Sequence, residues 1–334
     1  MASFVRAAAV ASASAPDVVP DLALPPAGGD WATRAETIAR AVAAALKSKA
    51  GLPPSEWRQL PCLVGSSSHF IGAREAQPGA ALGPPVEFAM QLARWFGASG
   101  TAMAVNTACT SGLTALGLAR DMVESGACPH VLVLGVELAN RLTGAGFSAL
   151  GLLSATQARP CDLERDGLVL GEAVGAVVVS GSGPWRVASA EIAVDPGGFA
   201  APAPNETVIA KVMDAALSAA GWKEIDLLKL QAGGSPVGDL AEARAVRRTF
   251  AALPRMVSLK GAIGHTLGAS GPAELALLLD ALARGSVPPT AGFARVDPEL
   301  GLRPQAADAT SIRRVLFNLA GFGGHVASLA LEKA

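Results

Sequence analysis

The chain has 334 residues, enough for one large domain or two fused halves. Half of it is apolar (51%), only 16% is charged, and glycine and alanine are abundant, as suits a tightly packed α/β protein. The net charge of -1 gives no electrostatic reason to expect nucleic acid or an anionic membrane as a partner.

The opening MASFVRAAAVASASAPD places a weakly apolar Ala/Val run around Arg6; residues 3–12 read as a first buried strand and not as a secretory leader. Residues 13–30, rich in Pro, Gly and Asp, read as a loop. Residues 31–50 space apolar side chains at helical intervals with charges between them, which predicts an amphipathic helix. A short strand is predicted over Leu60–Ser66, a Gly/Pro loop over 73–85 and a helix over 86–97. Then TAMAVNT (101–107) reads as a strand, Ala108-Cys109-Thr110 as a turn, and Ser111–Glu124 as a helix stopping near Gly126. Residues 130–136 and the run from Leu168 to Val179 read as buried strands.

Further on, helices are predicted over 205–220, 238–251 and 271–284. Strands are predicted near 226–231, 255–259, 313–319 and 326–332. Strand–helix alternation throughout argues for an α/β fold with largely parallel pairing. No stretch approaches the ~20 apolar residues of a membrane span. Cys62, Cys109, Cys128 and Cys161 lie far apart without a C-x-x-C pair, so neither a metal knuckle nor a redox motif is expected.

The segment VNTACTSGLTALGLA (105–119) delivers a cysteine from a strand into a sharp turn from which a helix begins at once. The helix N-terminus there is expected to favour the thiolate, and turn N–H groups can hold a developing oxyanion. Small neighbours at Ala108, Ser111 and Gly112 leave room for a substrate. The same residues also suit a small cysteine buried at a tight turn.

Three further stretches join this one: RPCDLERDGLVLGE (159–172), SLKGAIGH followed by GASG and Glu274 (258–274), and GFGGH (321–325). With VNTACTSG they are similar, in order, to the motifs of the β-ketoacyl-[acyl-carrier-protein] synthases of the thiolase superfamily, over roughly residues 60–334. The resemblance implies an α/β thiolase-like fold of two βαβαβαββ halves, 1–180 and 181–334, packed as five αβαβα layers. It implies a cytoplasmic protein with no metal and no resident cofactor, whose substrates ride on the phosphopantetheine of an acyl carrier protein. A homodimer, or a heterodimer with a complete ketosynthase, is implied across the strand at 101–107.

It also implies roles. Cys109 would accept the acyl chain as a thioester. His265 would donate to a thioester carbonyl oxygen, and Lys260 would bias the site electrostatically, with Glu274 behind it. Phe322 would gate the acyl pocket at the Gly323 loop, its N–H joining that of Cys109 as an oxyanion hole. His69, His130 and His325 read as structural or surface residues.

The pattern breaks at LQAGGSPVGD (230–239), which resembles the family's AHGTxTPxGD loop. Gln231 stands where a second histidine is expected. Gly233 replaces a threonine that would hold the pantetheine arm, and Ser235 keeps a hydroxyl there. Glutamine donates hydrogen bonds but exchanges no proton near neutral pH. Acylation of Cys109 should survive, while decarboxylation should weaken. Three activities follow: a condensing enzyme, a non-elongating acyltransferase, or a chain-length-factor-like partner subunit.

Overall fold

The computed structural model describes the chain except residues 14–17, 26–29, 78, 80–82, 198–203, 305–306 and 309–311. The N-terminal elements are β1 (Phe4–Ser12), β2 (Leu22–Ala23), α1 (Trp31–Ala50), α2 (Pro54–Gln59), β3 (Cys62–Gly65), α3 (Ile71–Ala76), α4 (Pro85–Phe96), β4 (Ala102–Val105), α5 (Ser111–Glu124), β5 (His130–Glu137), α6 (Arg141–Ala149) and β6 (Ala173–Ser180). They are followed by β7 (Trp185–Val194), α7 (Glu206–Ala220), β8 (Leu227–Lys229), α8 (Pro236–Thr249), β9 (Arg255–Val257), α9 (Lys260–Ile263), α10 (Ser270–Ala283), β10 (Ser286–Val287), β11 (Ala307–Asp308), β12 (Arg314–Ala320) and β13 (His325–Lys333).

The principal strands lie in the order β4-β3-β5-β6-β1-β7-β13-β12-β8-β9. That order reads the same from both edges: β4-β3-β5-β6-β1 and β9-β8-β12-β13-β7 are two copies of one arrangement. Without the short elements, each copy runs βαβαβαββ along the chain. In each, three parallel strands are followed by two antiparallel ones. The two strand sets join edge to edge where Phe4 and Val5 of β1 pair Arg186 and Trp185 of β7.

Packing follows from this duplication. Helices α5 and α10 lie between the two strand sets, where Leu113, Leu116, Leu275 and Leu278 join inner side chains such as Val133 and Phe317 in one core. Helices α1 and α4 cover the outer face of the first set, and α7 and α8 that of the second. The layers are therefore αβαβα, as the thiolase-like reading expects. Close approach in the middle layer depends on missing side chains: a Cβ on Gly112 would lie 2.3 Å from Pro272, and one on Gly271 would lie 2.4 Å from the backbone of Leu113.

Several boundaries differ from expectation. The run from Leu168 to Val179 is a strand only from Ala173, because Glu172 turns aside to accept from Arg34 Nη1 (2.7 Å) and Ala139 N (2.7 Å). Leu168 and Leu170 instead bridge singly to Leu153 and His265. The loop expected over 73–85 begins as helix α3, and residues 78 and 80–82 of it lie outside the described residues. The loop expected over 13–30 contains β2, and residues 14–17 and 26–29 of it lie outside them as well. Helices α2 and α6 and strand β7 add to the predicted elements. Among the described residues no helix is long and apolar enough to cross a membrane.

Candidate active site

Cys109 sits between β4 and α5, at the inner end of the middle layer, and is 3% exposed. The turn is locked locally. Ala108 takes a left-handed φ of 52°, Thr107 N donates to Ser111 Oγ (3.0 Å), and Ser111 Oγ donates to Ala108 O (2.6 Å). A left-handed alanine is strained and persists only where its surroundings hold it. The helix N-terminus was expected to favour the thiolate. Burial outweighs it and pushes the Cys109 thiol up to about 11, although the N–H groups of Phe322 and of Cys109 itself point at the sulfur and Lys260 adds positive potential. The resting group is a thiol.

The loop after β13's partner strand β12 closes over this cysteine. A Cβ on Gly321 would lie 3.0 Å from that of Cys109, and Gly323 has a φ of 76° that favours glycine. Phe322 is half-buried and meets Phe147 of α6 edge-on, with ring centroids 5.4 Å apart. Phe147 escaped the sequence reading because α6 buries no side chain fully and so lacks a core-facing pattern.

Of the predicted site residues, Cys109, Gln231, Gly233, Ser235, His265 and Phe322 line one cavity of about 50 Å³. His265 is 2% exposed, and its Nδ1 lies 3.4 Å from Ser270 Oγ. Burial first, then Lys260 and Lys229, hold its pKa well below the usual histidine value, so the imidazole is neutral. Lys260 does not reach the cavity. It is sealed beneath it, ion-paired to Glu274 Oε1.

The 231–235 loop keeps its shape through buried carboxylates of α8. Glu242 accepts from Gln231 N (2.7 Å), Ala232 N (2.8 Å) and Asn318 Nδ2 (2.6 Å). Asp239 accepts from Gly233 N (3.1 Å), Gly234 N (3.1 Å) and Cys161 N (2.9 Å), and burial pushes it up to about 6. The side chain of Gln231 is free of this scaffold; its Oε1 is buried and makes no hydrogen bond among the described residues. At Gly233 a Cβ would lie 2.7 Å from Leu168 Cδ2, so Leu168 fills the space a side chain there would use. Ser235 caps α8, its Oγ accepting from Gly238 N (3.2 Å).

The other histidines stand apart. His130 was read as a surface residue but is half-buried, 3.4 Å from Glu56 Oε2. His69 packs edge-on against Phe88, and His325 opens β13. Lys229 of β8 was read only as part of a strand. It is fully buried and shares Glu274 with Lys260. The signal was a single charge inside the apolar run LLKL (227–230).

Two matched strand sets, two central helices and a cysteine turn at their meeting point define a thiolase-like α/β protein. The beta-ketoacyl synthase N-terminal domain matches residues 38–182, and the beta-ketoacyl synthase C-terminal domain matches 187–294. The chain belongs to the beta-ketoacyl synthase family. It is similar to 3-oxoacyl-[acyl-carrier-protein] synthase 2 of Staphylococcus aureus, 33% identical over 259 residues, which are 71% of this chain and 63% of that protein. It is also similar to a putative polyketide beta-ketoacyl synthase 1 of Streptomyces cyaneus, 32% identical over 271 residues, 74% of this chain and 64% of that one. The chain thus spans less than two thirds of the length of these curated relatives. Among solved structures, a beta-ketoacyl synthase from Burkholderia phymatum shares the fold with a TM-score of 0.85 at 22% identity, covering 100% of this chain and 99% of that one. The ishigamide ketosynthase/chain length factor does so with a TM-score of 0.82 at 24% identity, over 100% and 99% of the two chains.

Proposed function

We propose that the chain is a β-ketoacyl-[acyl-carrier-protein] synthase-type acyltransferase of fatty acid or polyketide biosynthesis, with Cys109 as its acyl acceptor. The observation that carries this reading is the single cavity that Cys109, His265, Gln231 and Phe322 line together. The sulfur attacks a carrier-bound thioester, the oxyanion forms against the N–H groups of Cys109 and Phe322, and the carrier's thiol leaves with the proton given up by Cys109. A malonyl group on a second carrier then loses carbon dioxide. His265 and the amide of Gln231 donate to the enolate oxygen. The carbanion attacks the Cys109 thioester, and the thiolate leaves as the ketoacyl product forms.

The cavity of about 50 Å³ has room for a few waters and not for an acyl chain. Loading therefore requires Phe322 or its neighbour Phe147 to move. The acyl carrier protein would be the partner in both half-reactions. A dimer is supported by the free outer edge of β4, where Met103 is 47% exposed.

Gln231 favours a second reading, a chain-length-factor-like subunit beside a complete ketosynthase. A solved ketosynthase from Xenorhabdus doucetiae in complex with its chain length factor has this fold, with a TM-score of 0.82 at 22% identity. Intact-mass spectrometry with acyl-carrier and malonyl-carrier protein separates the readings, with Cys109→Ala as the control. The proposal expects an acyl adduct that Cys109→Ala abolishes and a ketoacyl-carrier two carbons longer. An adduct without elongation assigns an acyltransferase. No adduct at all overturns the proposal in favour of the partner subunit.

A further inference from the structure

Beneath the cavity lies a closed cluster of ionisable side chains from four elements. Lys229 stands on β8, Glu242 on α8, Lys260 on α9 and Glu274 on α10, and none is more than 2% exposed. Glu274 bridges the two lysines, its Oε2 to Lys229 and its Oε1 to Lys260. At the register of Lys229 the flanking strands bring no charge. Val257 of β9 and Phe317 of β12 are its register partners, and the Phe317 ring lies 4.3 Å from its Nζ. Glu242, the remaining charge that acts on Lys229, holds the backbone of Gln231.

The charges balance only with Lys229 present. Without it, two buried carboxylates face one ammonium. With it, the formal charges of the cluster cancel.

We infer that Lys229 is a positioning residue of the Cys109 cavity: through the carboxylate it shares with Lys260, it fixes the buried ionic cluster that backs the cavity. This matters more here than it would beside a second histidine. With Gln231 in place, His265 is the imidazole left to line the cavity. Burial pulls Lys229 down to about 7, with Glu274 opposing, so the cluster loses one charge as pH rises through neutrality.

The role rests on reading the cavity as the reaction site, but its test does not. His265 is followed by NMR in histidine-labelled protein, with Lys229→Gln and Lys229→Met against wild type. Removing one of the two cations should move the His265 titration to higher pH in both variants. His69, His130 and His325 should not move. An unshifted His265 in a folded variant overturns the inference, whatever the protein catalyses.

A second readout serves if Lys229→Met does not fold. The unfolded chain holds a lysine proton up to about 10.5 and the folded chain only to about 7, so between them the unfolded state binds more protons. Wild-type stability should therefore rise from pH 7 to 8, below the range where the buried Cys62, Cys109 and Cys161 oppose it. Lys229→Gln should flatten that rise. A rise of equal slope in Lys229→Gln also sinks the inference.

Discussion

The turn that carries Cys109 and the loop that carries Gln231 face one cavity, yet different forces hold them. At the cysteine the scaffold is steric: glycines at 112 and 271 admit neighbouring backbone and ring atoms to within 2.4 Å of where a Cβ would stand, and Ala108 is left-handed. At the glutamine the scaffold is ionic: Glu242 and Asp239 take up the backbone N–H groups of 231–234. The first kind tolerates no added atoms. The second is indifferent to the side chain at position 231, which takes no part in it. A proton-exchanging residue can therefore be lost from the loop with its shape intact, whereas the cysteine turn cannot drift in the same way.

The largest effect should come from breaking the ionic side at its centre. Glu274→Ala removes the counter-ion that the buried Lys229 and Lys260 share, and removing one partner of a buried pair costs about 3–5 kcal/mol. Denaturant unfolding should show a loss of this size. A loss below 1 kcal/mol would mean that the lysines reach water, contrary to their complete burial.

Next comes the chemistry of the loop. Gln231→His adds a titratable donor without touching the scaffold, so the melting temperature should barely change. Decarboxylation of malonyl-carrier should rise by ~10²-fold, the scale set by one enolate- or oxyanion-stabilising donor. Unchanged decarboxylation with unchanged stability would show that this donor does not limit the reaction.

The contrast also explains what the sequence revealed. Steric scaffolds leave marks in the sequence, because a glycine or small residue is required at fixed spacing. The Cys109 turn, the 321–324 loop and the His265 motif were legible for that reason. The long helices were legible through their apolar spacing. Ionic scaffolds leave weaker marks. Asp239 and Glu242 resemble any acidic residues in the first turns of a helix, and only the tertiary fold shows that both are buried. Lys229 was one charge in a strand. The resting state of Cys109 was misjudged for a related reason: the helix N-terminus is local and readable, while the loop after β12 that helps to bury the sulfur is distant in sequence. Leu168 filling the space beside Gly233 is a contact across 65 positions of sequence, by subtraction of the two numbers, and no local pattern encodes it.

The smallest effect should appear at Ser235, where the two kinds of scaffold meet. Its Oγ accepts from Gly238 N and so caps α8, which leaves the hydroxyl proton free to donate into the cavity. Loss of such a cap costs about 1 kcal/mol, so Ser235→Ala should lower stability by that amount. Ser235→Asn keeps the cap and should restore it. If the hydroxyl also holds the pantetheine arm, as the resemblance implies, Ser235→Asn should still raise the KM for the carrier substrate while leaving kcat near wild type. If it restores both stability and KM, Ser235 acts through the helix alone, and binding of the arm falls to the backbone of 233–234.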